Sequence, residues 1–260
     1  MIEKRPFHRS NQIVLFGLVY LILCYIIIFL VDIINLFGWS DFLSTKDVSG
    51  VPLLWFHLFT EASPTEMLQW FSLAACILLC GIHYGLYKAT GDERATFFLF
   101  IGIGLSIMLV EDAGNFRHRI NHYVSFLAGN SRLLRFGVEL LIYSALGFVM
   151  VYPIIKYWKK LRFNAYKQRL IIGAYLLYAS ASIASVSRSF WYGDFGERII
   201  SGLSLYENPA WNNANVFLES LERPPLGFYL MDFVFEESFE LLGAVCFLAF
   251  FVSVLSAKNK

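Results

Sequence analysis

The sequence predicts an all-α polytopic membrane protein: six transmembrane helices in one bundle, with both termini on the cytoplasmic side. Of its 260 residues, 57% are hydrophobic and 16% are charged, and the mean hydropathy is +0.57. A soluble protein of this size needs a much larger polar surface. The apolar residues form continuous runs rather than the alternating pattern of barrel strands, so each run is expected to satisfy its backbone hydrogen bonds within a helix.

Six apolar runs are long enough to cross roughly 30 Å of hydrocarbon as helices. They cover residues 12–37, 67–87, 95–115, 133–155, 169–188 and 227–254, and we treat 1–260 as a single transmembrane domain. The first run follows basic residues, as a signal peptide would. Because it is too long and lacks a small-residue cleavage site, we expect it to remain as an anchor. Pro224 and Pro225 precede the sixth run, where their fixed φ angles set how the chain re-enters the bilayer.

The distribution of basic residues predicts the orientation. Thirteen of the 21 Lys and Arg residues lie at the two ends of the chain and in the loops Lys88–Arg94 and Lys156–Arg169, together with only three of the 20 acids. Since cytoplasmic loops carry the excess of Lys and Arg, both termini are predicted to be cytoplasmic. The long loops 38–66 and 189–226 are then on the outer side. The second is rich in aromatic residues, which predicts short amphipathic pieces along the membrane surface, as an interface belt or as a lid over a site.

Charge and motifs exclude several classes of function. The net charge is only +1 and the longest basic run lies between two apolar stretches, so no surface is available for nucleic acid. That basic run is expected to rest on anionic lipid headgroups. Neither a Gly-x-Ser-x-Gly elbow nor a His-Glu-x-x-His motif occurs, so serine-hydrolase and zincin mechanisms have no support.

Ionisable residues inside the spans indicate a site, because each costs at least a few kcal/mol there unless it is paired, hydrated or neutralised. They gather at the outer ends of the third, fourth and sixth spans. They are Glu111, Asp112, His118, His122, Glu139, Asp232, Glu236, Glu237 and Glu240. With a spacing of four, Asp232, Glu236 and Glu240 share one face of a helix. The sequence therefore predicts one pocket, open to the outer face, among spans three, four and six.

Such a cluster can be neutralised by arginines, by protons or by a divalent metal. The candidate arginines are Arg117, Arg119 and Arg188. The predicted metal ligands are Glu111, His118, Glu236 and Glu240, with Asp112, Glu139, Glu237, Asp232, His122 and Arg188 in support. Glu111 and His118 are separated by about 10 Å along a helix axis, so one metal reaches both only if the helix breaks, and Gly114 and Asn115 favour such a break. The Glu-x-x-His pair of di-iron bundles is absent.

Three functions remain open. The leading hypothesis is that the pocket binds a cation, a divalent metal in its narrower form, which would activate water or polarise an outer-leaflet lipid or periplasmic substrate. The second is a non-enzymatic membrane subunit whose acid and arginine cluster is structural; Gly81 and Gly85, one helical turn apart, predict close helix packing or a membrane-protein partner. The third is an ion or proton carrier. Against it, the inner half of the spans is nearly free of ionisable groups.

A family resemblance appears at the same residues. The run Ser63-Pro64-Thr65, the pair Glu111-Asp112 with His118, and the closing Glu236-Glu237-Ser238-Phe239-Glu240 resemble a group of uncharacterised bacterial polytopic inner-membrane proteins. Members of that group carry an acidic pair and a His on one span and Glu-Glu-x-x-Glu on the last. Here the acidic pair is reversed, and Arg119 follows the His where an acid is expected. This change favours a salt-bridged network over a metal site. The resemblance implies a bacterial inner-membrane location and a polar site, but no reaction.

Overall fold

The structure is a computed structural model that describes residues 7–38, 42, 51–116, 119–120, 123–124, 126, 132–161 and 163–256. Within these ranges the chain is helical and contains no strand. Six helices are long and apolar enough to cross a membrane. The predicted all-helical fold, with six helices long and apolar enough to span a membrane, is therefore confirmed, whereas membrane insertion and the orientation of the termini stay predictions.

Nine α-helices follow one another along the described chain. They are α1 Phe7–Ile28, α2 Leu54–Phe59, α3 Pro64–Lys88, α4 Arg94–Ala113, α5 Arg132–Leu161, α6 Ala165–Gly202, α7 Pro209–Ser220, α8 Leu226–Tyr229 and α9 Glu237–Ser256. A π-helical turn, Phe29–Ile33, extends α1, and a π-helical segment, Leu230–Glu236, joins α8 to α9. Short 3₁₀ turns lie at Leu36–Gly38 and Leu205–Glu207.

Local sequence explains where the helices that form the site begin. Ser63 caps α3 by accepting a hydrogen bond from the backbone N–H of Glu66, and Pro64 occupies the first helical position, where its missing N–H is not needed. Asn164 caps α6 in the same manner. α9 lies at the centre of the bundle and packs against α1, α3 and α6. These contacts hold the ends of α3, α6 and α9 near one another.

The helix of the fifth predicted span extends into the segment that the sequence assigns to the loop 189–226. α6 continues without interruption to Gly202, because Tyr192, Gly196 and Ile200 extend a buried helical face beyond residue 188. The rest of this segment forms α7, which Asn208 caps. Only the part after Gly202 therefore has the short helical pieces that the sequence predicts.

No helix of the described chain packs closely on Gly81 or Gly85, and a membrane-protein partner at these glycines stays a prediction. A side-chain carbon added at either glycine would meet no atom within 4 Å. The close backbone contact lies instead between α6 and α8, where a carbon added at Gly196 would lie 1.9 Å from the carbonyl oxygen of Gly227.

Asp32 links three separate parts of the chain. Its carboxylate is fully buried and accepts hydrogen bonds from the backbone N–H groups of Leu54 and Trp55, both at 2.8 Å. These donors belong to the first turn of α2, which has no intrahelical partner for them. The carbonyl oxygen of Asp32 accepts a 2.8 Å hydrogen bond from the indole of Trp211 on α7. Asp32 therefore fixes α2 and α7 to the end of α1.

We expect Asp32→Ala to lower the free energy of unfolding by about 3 kcal/mol, because two backbone donors lose a charged acceptor in a buried position. Thermal unfolding of the purified protein in detergent measures the change. Asp194→Ala, at an exposed position of α6, is the matched control and is expected to be neutral. Equal melting temperatures for the two variants would show that Asp32 does not stabilise this end of the bundle.

Candidate functional site

A cavity of about 290 Å³ lies where the first turns of α3, the last turn of α4 and the middle of α6 meet the π-helical segment. We call it the acidic cavity. Its described lining residues are Glu61, Ala62, Glu66, Trp70, Glu111, Asp112, Ala113, Gly114, Asn115, Arg119, Arg188, Asp232, Phe233, Glu236 and Glu237. Seven carboxylates and two guanidinium groups are among them, so negative charge dominates the lining.

The structure brings most of the residues named from the sequence to this cavity. The ones that line it are Glu111, Asp112, Asp232, Glu236, Glu237, Arg119 and Arg188. Glu139 and Glu240 are connected to it through hydrogen bonds described below. His118, His122 and Arg117 lie outside the described residues. The role of this set as metal ligands stays a prediction.

The helices that build the cavity differ from those predicted. The second span contributes Glu66 and Trp70, and the fifth contributes Arg188, although the sequence pointed to spans three, four and six. The fourth span adds Glu139 only as a partner of Arg188. The contribution of the second span to the site could not be predicted from charged residues. Its one acid near the cavity, Glu66, lies in the first turn of the helix, and the polar residue one turn later, Gln69, is an uncharged amide.

The end of α4 shapes one wall. α4 stops at Ala113, Gly114 caps it, and Asn115 adopts a positive φ of 48°. This confirms the break that the sequence predicts at Gly114 and Asn115. The Asn115 side-chain amide donates a 2.6 Å hydrogen bond to Glu61, which fixes the loop before α3 to the loop after α4.

Arg188 is the buried cation of the site. Its Nη2 lies 3.0 Å from Oε1 of Glu139 and its Nη1 lies 3.2 Å from Oδ1 of Asp232, and only 12% of its side chain is exposed. One guanidinium thus connects α5, α6 and the π-helical segment. The short distances and the low exposure of all three side chains are those of buried ion pairs. Removing one partner of a buried ion pair strongly lowers the stability of the fold.

A second network, centred on an amide, lies beside the cavity. The Gln69 Nε2 donates to Oδ2 of Asp112 at 2.8 Å and to Oε2 of Glu240 at 2.9 Å. The Trp70 indole donates to the same oxygen of Asp112 at 3.0 Å. A neutral amide therefore connects carboxylates of α4 and α9. Gln69 is uncharged and was not predicted as a site residue, although an amide inside an apolar run is a signal in the sequence.

The π-helical segment changes which carboxylates face the cavity. The sequence grouped Asp232, Glu236 and Glu240 on one α-helical face, but the wider turn brings Asp232, Glu236 and Glu237 to the cavity and turns Glu240 toward Gln69. π-Helical turns are rare and frequently occur at functional sites. The Tyr192 hydroxyl donates a 3.1 Å hydrogen bond to Oε2 of Glu236 and holds this side chain from α6.

Two buried oxygen atoms at the site have no hydrogen-bond partner in the described part of the chain. They are Oε2 of Glu237, which lines the cavity, and Oε1 of Gln69. Buried polar atoms are almost always paired, since an unpaired one carries its full desolvation cost. Oε2 of Glu237 is therefore an acceptor that a ligand with N–H groups would satisfy.

The described residues do not form a metal site. Among them, no three or more His, Cys, Asp or Glu side chains are grouped so that they could hold a metal ion. Of the four predicted ligands, Glu236 and Glu240 already accept hydrogen bonds from Tyr192 and Gln69. His118, another of the four, lies outside the described residues.

Comparisons with protein-family models, with curated proteins and with solved structures find no match to this chain. The family resemblance inferred from the motifs therefore remains a prediction, and the function must be argued from the site.

Proposed function

We propose that the acidic cavity binds an organic cation through an ammonium group. The observation that carries this proposal is the charge of the lining, in which seven carboxylates outnumber two guanidinium groups among the described residues. Carboxylates that share a small volume of low dielectric cannot all be charged unless positive charge is added. A bound ammonium group supplies this charge and the N–H donors.

The size of the cavity supports a molecule rather than a bare ion. Its volume, about 290 Å³, is just below the range of roughly 300–1,000 Å³ that small-molecule sites occupy, which suits a small ligand group. A single metal ion would leave most of this space to water. The unpaired Oε2 of Glu237, which lines the cavity, provides a polar atom for such a molecule.

A structural role is the alternative that the contacts favour. Arg188, Gln69, Trp70 and Tyr192 satisfy carboxylates from four helices without any ligand. A non-enzymatic subunit would need no more than this network. A binding measurement with an ammonium compound separates the two functions, because a purely structural network binds no cation.

Isothermal titration of the detergent-solubilised protein with ethanolamine tests the proposal. We expect saturable binding that weakens about ten-fold or more in the double variant Glu236→Gln and Glu237→Gln, because an amide keeps the shape of the side chain but removes the charge that attracts the ammonium group. Titration with Mn²⁺ in parallel tests the metal hypothesis.

The control variant, Asp194→Asn with Glu207→Gln, removes the same charge at two exposed positions outside the cavity. It is expected to bind ethanolamine as the unchanged protein does. Absence of ethanolamine binding, or equal binding by the two double variants, would refute the proposal and favour the structural role.

A further inference from the structure

An apolar cleft lies directly beside the acidic cavity. It has a volume of about 520 Å³ and runs between α5 and α6, with Met108 of α4 and Phe247 of α9 on its inner wall. Leu140 and Gly147 line it from α5, and Ile183 lines it from α6. The Ile183 side chain is 70% exposed, so the cleft opens sideways, toward the hydrocarbon that surrounds a membrane-spanning bundle.

The cleft extends along the bundle axis over the length of an acyl chain. It follows α5 from Phe136 to Val151, which corresponds to roughly 22 Å at 1.5 Å per residue. One end lies near Glu139, and the other end, at Val151, lies just past the middle of the helix Phe136–Leu161; in the predicted orientation the end near Glu139 is the outer one. A lipid of the outer leaflet has the same direction, with its polar group at the rim and its chain end near the midplane.

The cleft and the acidic cavity meet at Arg188. This residue lines the cavity, while its neighbour Ser187 lines the cleft. Its ion-pair partner Glu139 lies on α5 between Phe136 and Leu140, which both line the cleft. A molecule with a polar group in the cavity and a chain in the cleft would therefore pass this ion pair.

Tyr178 forms a second connection, deeper in the bundle. Its ring lines the cleft and packs over Gly243 of α9, where a side-chain carbon would lie 2.6 Å from the ring. Its hydroxyl is buried and has no hydrogen-bond partner among the residues that the structure describes. Tyr178 thus joins the wall of the apolar cleft to α9, the helix that carries Glu240.

We propose that the ligand of the acidic cavity is a phospholipid with an amine headgroup, whose acyl chain occupies the cleft between α5 and α6. This inference rests on the proposed function of the cavity. The ammonium group lies among the carboxylates near Glu236 and Glu237, and Arg119, also in the lining, offers a guanidinium to the phosphate. The mixed charges of the cavity thus match a zwitterionic headgroup.

The dimensions of the cleft favour an acyl chain over a helix of another protein. A transmembrane helix is roughly 10–12 Å wide. Over the length of the cleft, such a helix would occupy several times the volume that lies between α5 and α6. An acyl chain is thin and flexible, and it is the component of the bilayer to which the cleft opens.

Native mass spectrometry of the full chain in detergent tests the assignment. The protein is titrated with phosphatidylethanolamine and with phosphatidylglycerol that carries the same acyl chains. We expect the dissociation constant of phosphatidylethanolamine to be at least about ten-fold lower than that of phosphatidylglycerol, because only phosphatidylethanolamine brings a positive charge to the carboxylates.

Gly147→Phe fills the cleft without a backbone clash, since a side-chain carbon there would meet nothing within 4 Å. We expect it to weaken phosphatidylethanolamine binding about ten-fold and to leave ethanolamine binding unchanged. Gly137→Phe, at an equally open position of α5 that does not line the cleft, is the matched control and keeps lipid binding. Ala179→Phe fills the cleft from α6 and replaces Gly147→Phe if that variant does not fold.

The outcomes separate the two proposals. Equal binding of both lipids, or unchanged lipid binding when either wall of the cleft is filled, overturns the lipid assignment while ethanolamine binding still supports a cation site. Phosphatidylethanolamine binding that does not change in the double variant Glu236→Gln and Glu237→Gln overturns the placement of the headgroup. Loss of lipid binding on filling the cleft, with ethanolamine binding retained, supports both proposals.

Discussion

Arg188→Met is expected to lower the free energy of unfolding by about 3–5 kcal/mol, because it leaves the carboxylates of Glu139 and Asp232 buried without their cation. The methionine keeps much of the volume of the side chain, so the loss reports charge more than packing. Chemical or thermal unfolding of the purified protein in detergent measures it. Arg198→Met, on the same helix at an exposed position, is expected to change the stability by no more than about 0.5 kcal/mol.

A triple variant separates the charge from the structure. When Arg188→Met is combined with Glu139→Gln and Asp232→Asn, neither ion-pair partner of Arg188 is left charged, and we expect most of the lost stability to return. Arg188→Lys is expected to restore less, because one ammonium group cannot reach both carboxylates with the geometry of a guanidinium. If the triple variant were as unstable as Arg188→Met, the ion pairs would not be the reason for the loss.

Gly196→Ala is the second change with a large expected effect, a loss of roughly 3 kcal/mol or more. The added carbon would lie 1.9 Å from the carbonyl oxygen of Gly227, a backbone atom that cannot turn aside. α6 and α8 would have to separate, and the 2.8 Å hydrogen bond from the Gly227 N–H to Glu197 would break. Since α8 leads into the π-helical segment, the carboxylates of the cavity would move as well.

Gly193→Ala is the control for this substitution. Gly193 lies one turn earlier on α6, and its added carbon would make only an ordinary contact, 3.7 Å from Pro225. Because alanine has the higher helix propensity, this variant is expected to gain up to about 1 kcal/mol. Unfolding of both variants in detergent decides the matter, and an equal response to the two substitutions would show that α6 and α8 do not depend on the close contact.

Much of the fold follows from the sequence, because the length and continuity of the apolar runs specify helices in a membrane. The continuation of the fifth helix beyond residue 188 was not predicted, and the reason is physical. Arg188 marks the end of an apolar window, but Glu139 and Asp232 neutralise it inside the bundle, so α6 continues to Gly202. A charge that is paired across helices has no signature in the local sequence.

The candidate site was predictable in part. Acidic residues that are far apart in the chain but close to the same ends of the spans had to gather, because isolated charges there are costly. The contacts of Gln69 and Tyr192 depend on how their helices are rotated about their own axes, which the sequence does not specify. The exposure of Glu237 to the cavity depends on the π-helical segment before it. Spacing rules assume α-helical geometry, so they could not distinguish Glu237 from Glu240.

A density map of the full chain in a nanodisc that contains phosphatidylethanolamine tests most directly whether the acidic cavity is a ligand site. We expect non-protein density within hydrogen-bond distance of Glu236 and Glu237, continuous past Arg188 into the cleft between α5 and α6. A cavity that contains only ordered water, with every carboxylate paired to a side chain of the protein itself, would contradict the account.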